Sequence, residues 1–243
     1  MRFEIGLPPT KDNPLVDGHS PSLVLALFSE LLADKQMDWP PQTVHAGFPL
    51  YDQDSGAGLP PELARFLDDG PPPIVFTLSV SAAMVAGPFF EHSIDAARRL
   101  GRRAVLIVGK DHRSRPASLP DGVVAFDYAP FSELFPRASV VVHAGGIGTS
   151  GLAMRSGRPM LVVPYAHDQP DNAHRLVRLG VARTVSRRRY TSAHIVAELR
   201  RLLDDPAFSR RASEVGEQIR REDGVRAACD ALEALLQVSR PPK

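Results

Sequence analysis

The sequence predicts an α/β domain built on a Rossmann-like, doubly wound parallel sheet of about six strands. Three observations lead there. Short aliphatic runs such as Ile74-Val75-Phe76-Thr77-Leu78 and Ala104-Val105-Leu106-Ile107-Val108 show no polar alternation, as strands buried on both faces require. Amphipathic helical segments separate these runs, which is the pattern of a sheet covered on both sides. Finally, Val140-Val141-Val142-His143 runs straight into Ala144-Gly145-Gly146-Ile147-Gly148-Thr149-Ser150-Gly151. Strand, glycine turn and helix in that order present backbone N–H groups and a helix N-terminus to a phosphate.

Residues 1–70 read as an irregular arm, and residues 71–238 as the domain. In the arm, Gly6-Leu7-Pro8-Pro9 and Asp38-Trp39-Pro40-Pro41 are loop signals. Leu23, Leu27, Leu31 and Leu32 fall at helical spacing, so residues 21–33 are expected as one helix. Residues 43–48 suit a short strand. In the domain the first strand is 74–78. A helix over 88–100 follows, with Phe90, Ile94 and Ala97 on one face and Gly101 at its end. Strands are then expected at 104–108, 123–126, 139–143, 160–163 and 181–185. A short helix at 132–136 precedes the third of these, a helix opening at Leu152 and stopping at Gly157 follows it, and a helix at 170–179 is closed by Gly180. Three helices finish the chain. Ile195, Val196, Leu199, Leu202 and Leu203 give the first its apolar stripe. Asp205-Pro206 opens the second with a cap and a proline at the first helical position. Val225, Ala228, Leu232, Leu235 and Leu236 mark the third.

Composition narrows the class. The 243 residues are 43% hydrophobic and 23% charged, ordinary for a globular protein. A net charge of +1 gives no support for nucleic-acid binding. The single Cys229 excludes an internal disulfide and a cysteine zinc site, and it is expected as a buried small hydrophobe on the last helix. No apolar run approaches the ~20 residues that span a bilayer. The N-terminus lacks the pattern of a signal peptide, so the expected compartment is the cytoplasm.

Ligands of open α/β sheets bind beyond the carboxyl ends of the strands. His143 and the glycine turn stand there, together with Ser79, Ser81, the loop 127–131 and Asp168-Gln169. Gly145, Gly146 and Gly148 allow positive φ and a close approach of backbone to ligand. Thr149 brings a hydroxyl, and His143 a hydrogen-bond donor. No Gly-Lys-Ser/Thr follows, so the turn is not a P-loop. A competing match exists: Gly146-x-Gly148-x-x-Gly151 satisfies the dinucleotide fingerprint, with Asp168 about 20 residues on. That fingerprint normally occupies the first βα unit, whereas this one follows about the fourth strand, and it leaves His143 and Gln169 unexplained. His167 beside Asp168 hints at a metal pair without further ligands at suitable spacing. Arg187-Arg188-Arg189 reads as a solvated loop. No Gly-x-Ser-x-Gly elbow is present.

Taken together, His143-Ala144-Gly145-Gly146-Ile147-Gly148-Thr149, Gly157-Arg158-Pro159, Pro164, Asp168-Gln169-Pro170-Asp171-Asn172-Ala173 and Leu179-Gly180-Val181 resemble the donor-binding signature of UDP-glycosyltransferases of the GT-B class. Bacterial members and sterol glucosyltransferase-like proteins are the nearest in pattern, over roughly residues 71–237. The resemblance implies the C-terminal half of a GT-B fold. It implies a substrate that is a nucleotide-diphosphate sugar, UDP-glucose-like, with a hexose moved to a hydroxyl of a lipid, sterol or natural product by inverting displacement. His143 would contact the diphosphate, and the backbone of Gly145, Gly146, Ile147 and Gly148 with the Thr149 hydroxyl would hold the phosphates. Asp168 and Gln169 would bind sugar hydroxyls. The loop carrying Tyr128, Ala129 and Phe131 would receive the base, and Ser79 and Ser81 would lie near the phosphates. No metal is required, because a helix dipole and a histidine can receive the leaving charge. The proline-rich arm resembles the segment joining the two domains of these enzymes.

The pattern also departs from that family. Ser79-Val80 stands where Gly-Ser often follows the first strand, and no glutamate lies between Thr149 and Gly157 to hold a ribose. The acceptor domain with its catalytic histidine, which the resemblance implies, is expected to lie outside these 243 residues. Neither His19 nor His45 is assigned that role, so no catalytic residue is assigned here. The expectation is therefore a donor-binding half, inactive alone, that works with an N-terminal acceptor domain or a separate acceptor subunit. A catalytically silent binding module and, behind it, an NAD(P)-dependent oxidoreductase are the alternatives. An exposed apolar face would favour a homodimer.

Overall fold

The computed structural model describes residues 6, 18–51, 58–78, 82, 84–110 and 115–238. The arm holds β1 (Val24–Ala26) and β2 (Thr43–His45), followed by α1 (Pro61–Asp68). The domain runs β3 (Ile74–Thr77), α2 (Phe89–Arg99), β4 (Ala104–Ile107), β5 (Val123–Phe126), α3 (Phe131–Leu134) and β6 (Val140–His143). It continues with α4 (Ile147–Ser156), β7 (Met160–Val162), α5 (Gln169–Arg178), β8 (Ala182–Thr184), α6 (Ser192–Asp204), α7 (Pro206–Arg220) and α8 (Gly224–Val238). The six domain strands form one all-parallel sheet in the order β5-β4-β3-β6-β7-β8. This is the doubly wound order, and its direction reverses between β3 and β6.

Each strand is short and apolar, and its alternate residues serve opposite faces of the sheet. Val75, Val105, Val141 and Val162 join one core with Leu134, Met154, Leu176 and Val215. Ile74, Phe76, Leu106 and Val142 join the other with Phe90, Ala97, Ile195 and Leu199. The register sets Phe76 beside Val142 and His143 beside Val162, which places the ends of β3, β6 and β7 along one edge.

The arm differs from its expected form. Residues 21–33 are not a helix. Val24–Ala26 instead pairs in parallel with Thr43–His45, and the Ala46 N–H continues the ladder to the Ala26 carbonyl. Ser29 Oγ accepts from the Leu31 N–H and starts a separate turn inside this stretch, while Ser20 Oγ accepts from the N–H groups of Ser22 and Leu23 in the turn before β1. Leu27 is left exposed while Leu32 is buried, so the leucine spacing does not mark one face. Residues 61–68, left in the arm by the sequence pattern, form a helix opened by Pro61. Its Leu63 and Leu67 pack in the same core as Val75 and Val141.

Leu63 is fully buried. Leu63→Ala is expected to lower unfolding stability by roughly 2–5 kcal/mol, the usual cost of such a cavity. Urea denaturation checks it, and a loss below about 1 kcal/mol would mean that α1 is dispensable to the domain core.

Candidate functional site

The site is built at the end of β6, beside the switch point. His143 is fully buried, and its Nδ1 accepts the Gly145 N–H at 3.1 Å. That bond assigns the ring proton to Nε2. Nε2 is itself buried and has no hydrogen-bond partner among the described residues. Burial pushes the imidazole down to about 4, so the side chain is a neutral N–H donor at ordinary pH.

The glycine turn is shorter than its sequence implies, because α4 begins at Ile147. Among its glycines, only Gly145 takes the left-handed conformation, at φ 88°. A Cβ there would meet Val162 Cγ1 at 2.8 Å and the Gln169 carbonyl oxygen at 3.2 Å, so the reversal admits no other residue. Gly146 and Gly148 differ: a Cβ on either would meet no atom of the described residues within 4 Å. Packing therefore does not demand them, and they leave the backbone bare where α4 starts. Gly146 is the N-cap, and among the described residues no side chain caps this helix. The first N–H groups of α4 have no partner within the helix, and they carry its positive dipole end.

The loop after β7 closes against this turn. Gln169 is buried, and its Oε1 accepts the N–H groups of Tyr165 (2.8 Å) and Ala166 (3.1 Å). Its amide nitrogen makes neither bond. Asp168 is exposed at the start of α5 and follows His167, which holds φ 60°, a costly conformation for a residue with a Cβ. Asn172, whose role the sequence left open, joins the parts. Its Nδ2 donates to the Gly145 carbonyl at 2.9 Å and to Asp168 Oδ2 at 2.7 Å. The spacing of Asp168 and Asn172 was a usable signal, since residues four apart share a helix face.

Gly148, Thr149 and Leu152 of α4, Tyr128 and Phe131, and residues 49–51 of the arm together line a cavity of about 330 Å³. Thr149 is half-buried there. Phe131 stacks on Phe135 with ring centroids 4.4 Å apart. Ala129 is fully buried in the core, so only its main chain is available to a ligand. Ile147 is exposed beside Gly148. Thus the structure brings His143, Gly145, Gly146, Ile147, Gly148, Thr149, Asp168 and Gln169 to one sheet edge, with Phe131 and Ala129 next along it. Ser79 and Ser81 lie outside the described residues. Arg187, expected in a solvated loop, is exposed but anchored: it donates to the Val85 carbonyl at 2.7 Å and lies 5.0 Å from the Tyr165 ring. Cys229 is exposed, not buried, because α8 turns that position away from the core. Among the described residues no three His, Cys, Asp or Glu side chains are grouped to hold a metal ion, and no helix is long and apolar enough to cross a membrane.

Residues 91–233 match the family model described as the erythromycin biosynthesis protein CIII-like C-terminal domain. The chain belongs to this family, a C-terminal domain of GT-B glycosyltransferases. It is 37% identical over 236 residues to O-mycaminosyltylonolide 6-deoxyallosyltransferase of Streptomyces fradiae, covering 96% of this chain and 54% of the relative. A sterol 3-beta-glucosyltransferase of Arabidopsis thaliana is 28% identical over 84% of this chain and 32% of its own length. The chain thus spans about half, or less, of the curated relatives it matches. The crystal structure of the kitacinnamycin glycotransferase superposes with a TM-score of 0.75 at 25% identity, covering 96% of this chain and 59% of that one. A spinosyn rhamnosyltransferase complexed with thymidine diphosphate gives 0.70 at 23%, covering 88% and 57%, a likeness of fold. The family match removes the dinucleotide reading of Gly146, Gly148 and Gly151, whose last two glycines lie inside α4.

The His143 environment has a measurable acid signature. The unfolded chain takes up a proton on this histidine near pH 6.5, whereas the folded chain does so only near pH 4. Stability is therefore unaffected by this group above 6.5 and falls as pH drops from 6.5 to 4, by on the order of 3 kcal/mol in total. Thermal melts from pH 4 to 8 are expected to converge for wild type and His143→Gln as pH falls; parallel curves would contradict a neutral buried imidazole.

Proposed function

We propose that this domain binds the diphosphate and sugar of a nucleotide-diphosphate sugar and presents the sugar for transfer to a hydroxyl acceptor. The observation that carries this is the buried, neutral His143, set beside the start of α4: among the described residues its Nε2–H has no partner and no side chain caps that helix. A neutral N–H and a row of backbone N–H groups suit a leaving diphosphate, since their dipoles are fixed before its charge develops. In the reaction, the acceptor oxygen attacks the anomeric carbon as the bond to the diphosphate oxygen breaks. The electron pair leaves on the diphosphate, where His143, the α4 N–H groups and the Thr149 hydroxyl receive it. The Asp168 carboxylate and the Gln169 amide nitrogen hydrogen-bond the sugar hydroxyls, held in place by Asn172 and by the Tyr165 and Ala166 N–H groups. Inversion at the anomeric carbon follows from a single displacement, and this charge handling needs no metal.

The residue that deprotonates the acceptor is not among those described at this site. It belongs to an N-terminal acceptor domain or to a partner subunit, and this chain alone is inactive. The acceptor is a natural product or a sterol-like lipid hydroxyl, as the names of the relatives suggest. The donor nucleotide is UDP or thymidine diphosphate, the latter being the ligand of the spinosyn enzyme. The whole enzyme would work in the cytoplasm.

Titration calorimetry with UDP, dTDP, UDP-glucose and NAD tests the reading. UDP or dTDP should bind, and His143→Ala should weaken that binding at least tenfold. NAD binding without either diphosphate would sink the proposal, and binding of none of the four would favour a silent module. Asn172→Ala should weaken UDP-glucose severalfold more than UDP, because it frees the sugar-side carboxylate; equal losses would remove Asp168 from sugar binding.

A further inference from the structure

We infer that the arm supplies part of the nucleoside pocket, with the Tyr51 ring packing on the nucleoside of the bound diphosphate. This rests on the donor-site reading above. The cavity beside α4 joins three sources: Gly148 and Thr149 at the phosphate end, Tyr128 and Phe131 on the loop after β5, and Pro49, Leu50 and Tyr51 from the arm. Its volume of about 330 Å³ is in the range of small-molecule sites. Its lining is aromatic and aliphatic, which suits a flat base. Tyr51 is 78% exposed, so the core does not account for it, and a ring of this kind is well placed to cover a ligand face.

The arm is held firmly enough to act as a wall. Phe48 is buried between two glycines of different helices. A Cβ on Gly151 of α4 would meet the Phe48 ring at 2.7 Å, and one on Gly224 at the start of α8 would meet the Phe48 carbonyl group at 2.5 Å. Glu222, just before α8, accepts from Ser29 Oγ at 2.5 Å and lies over Gly47. Leu50 packs on the domain core and lies against Gly151. Residues 47–50 are therefore pinned on both sides, and Tyr51 emerges from a fixed point at the cavity. Because no acidic residue lies between Thr149 and Gly157 to hold a ribose, the nucleoside must be gripped by other groups, and the arm is one of them.

The test is calorimetric titration of the full chain with UDP, dTDP and inorganic pyrophosphate. Tyr51→Ala should raise the Kd of both nucleoside diphosphates roughly fivefold or more, as loss of one aromatic–base contact does, and leave pyrophosphate unchanged. Tyr51→Phe should stay within about twofold of wild type, because the ring carries the effect. Gly224→Ala, distant in sequence from the cavity, should displace the Phe48 backbone and give the same selective loss. If that variant fails to melt cooperatively, Tyr51→Ala still decides. Should wild type bind UDP or dTDP, His143→Ala lose it, and Tyr51→Ala bind within twofold of wild type, the arm has no part in the site while the donor reading stands. A loss shared equally by pyrophosphate would also overturn the inference. If wild type binds neither nucleotide, both fall together.

Discussion

The backbone reversal at Gly145 is the constraint on which the site depends. Its left-handed φ turns the chain from β6 into α4 within the three residues Ala144 to Gly146, with Val162 and the Gln169 carbonyl leaving no room for a side chain. Its N–H goes to His143 Nδ1 and its carbonyl to Asn172 Nδ2. One glycine therefore sets the protonated nitrogen of the histidine, the start of α4 and the position of the Asp168 carboxylate. A larger residue would disturb all three together, since they share its two backbone groups.

Burial then decides how charge is handled. An imidazolium at position 143 would have to be desolvated entirely, so the ring stays neutral. What it offers a ligand is a directed N–H, and the start of α4 offers several more. Fixed dipoles of this kind need no counter-ion. Gln169 and Asn172 spend their bonds on the protein's own backbone and on Asp168. That is how an exposed carboxylate on a loop keeps a defined direction, and His167 at φ 60° adds local strain at the same bend.

The arm adds a second dependency. It is joined to the domain through Phe48, Leu50 and Glu222, in places where Gly151 and Gly224 let backbone and ring come close. Those two glycines are invisible as a pair in the sequence, where they are separated by α4 to α7. In the linear pattern Gly151 even read as the last glycine of a dinucleotide fingerprint. Its use is to admit Phe48.

The sequence by itself determined the sheet and its helices, and it singled out the residues of the candidate site. Unbroken aliphatic strands separated by amphipathic helices leave few topologies, and the histidine with its glycines and the Asp168-Gln169 pair carry their chemistry in residue type and spacing. It did not determine the arm, where leucines at helical spacing over 21–33 became a strand and turns because β2 paired with Val24–Ala26 and the chain turned again at Ser29. It did not reveal the parallel partner of β1, the packing of Leu63 into the domain core or the exposure of Cys229. Nor did it show that Gln169 braces a loop and that Asn172 bridges Gly145 to Asp168. Those depend on which groups meet across long stretches of chain, and local periodicity carries no record of such meetings. Only the folded structure decided them, because hydrogen bonds and close contacts between distant residues exist only once the chain has brought them together.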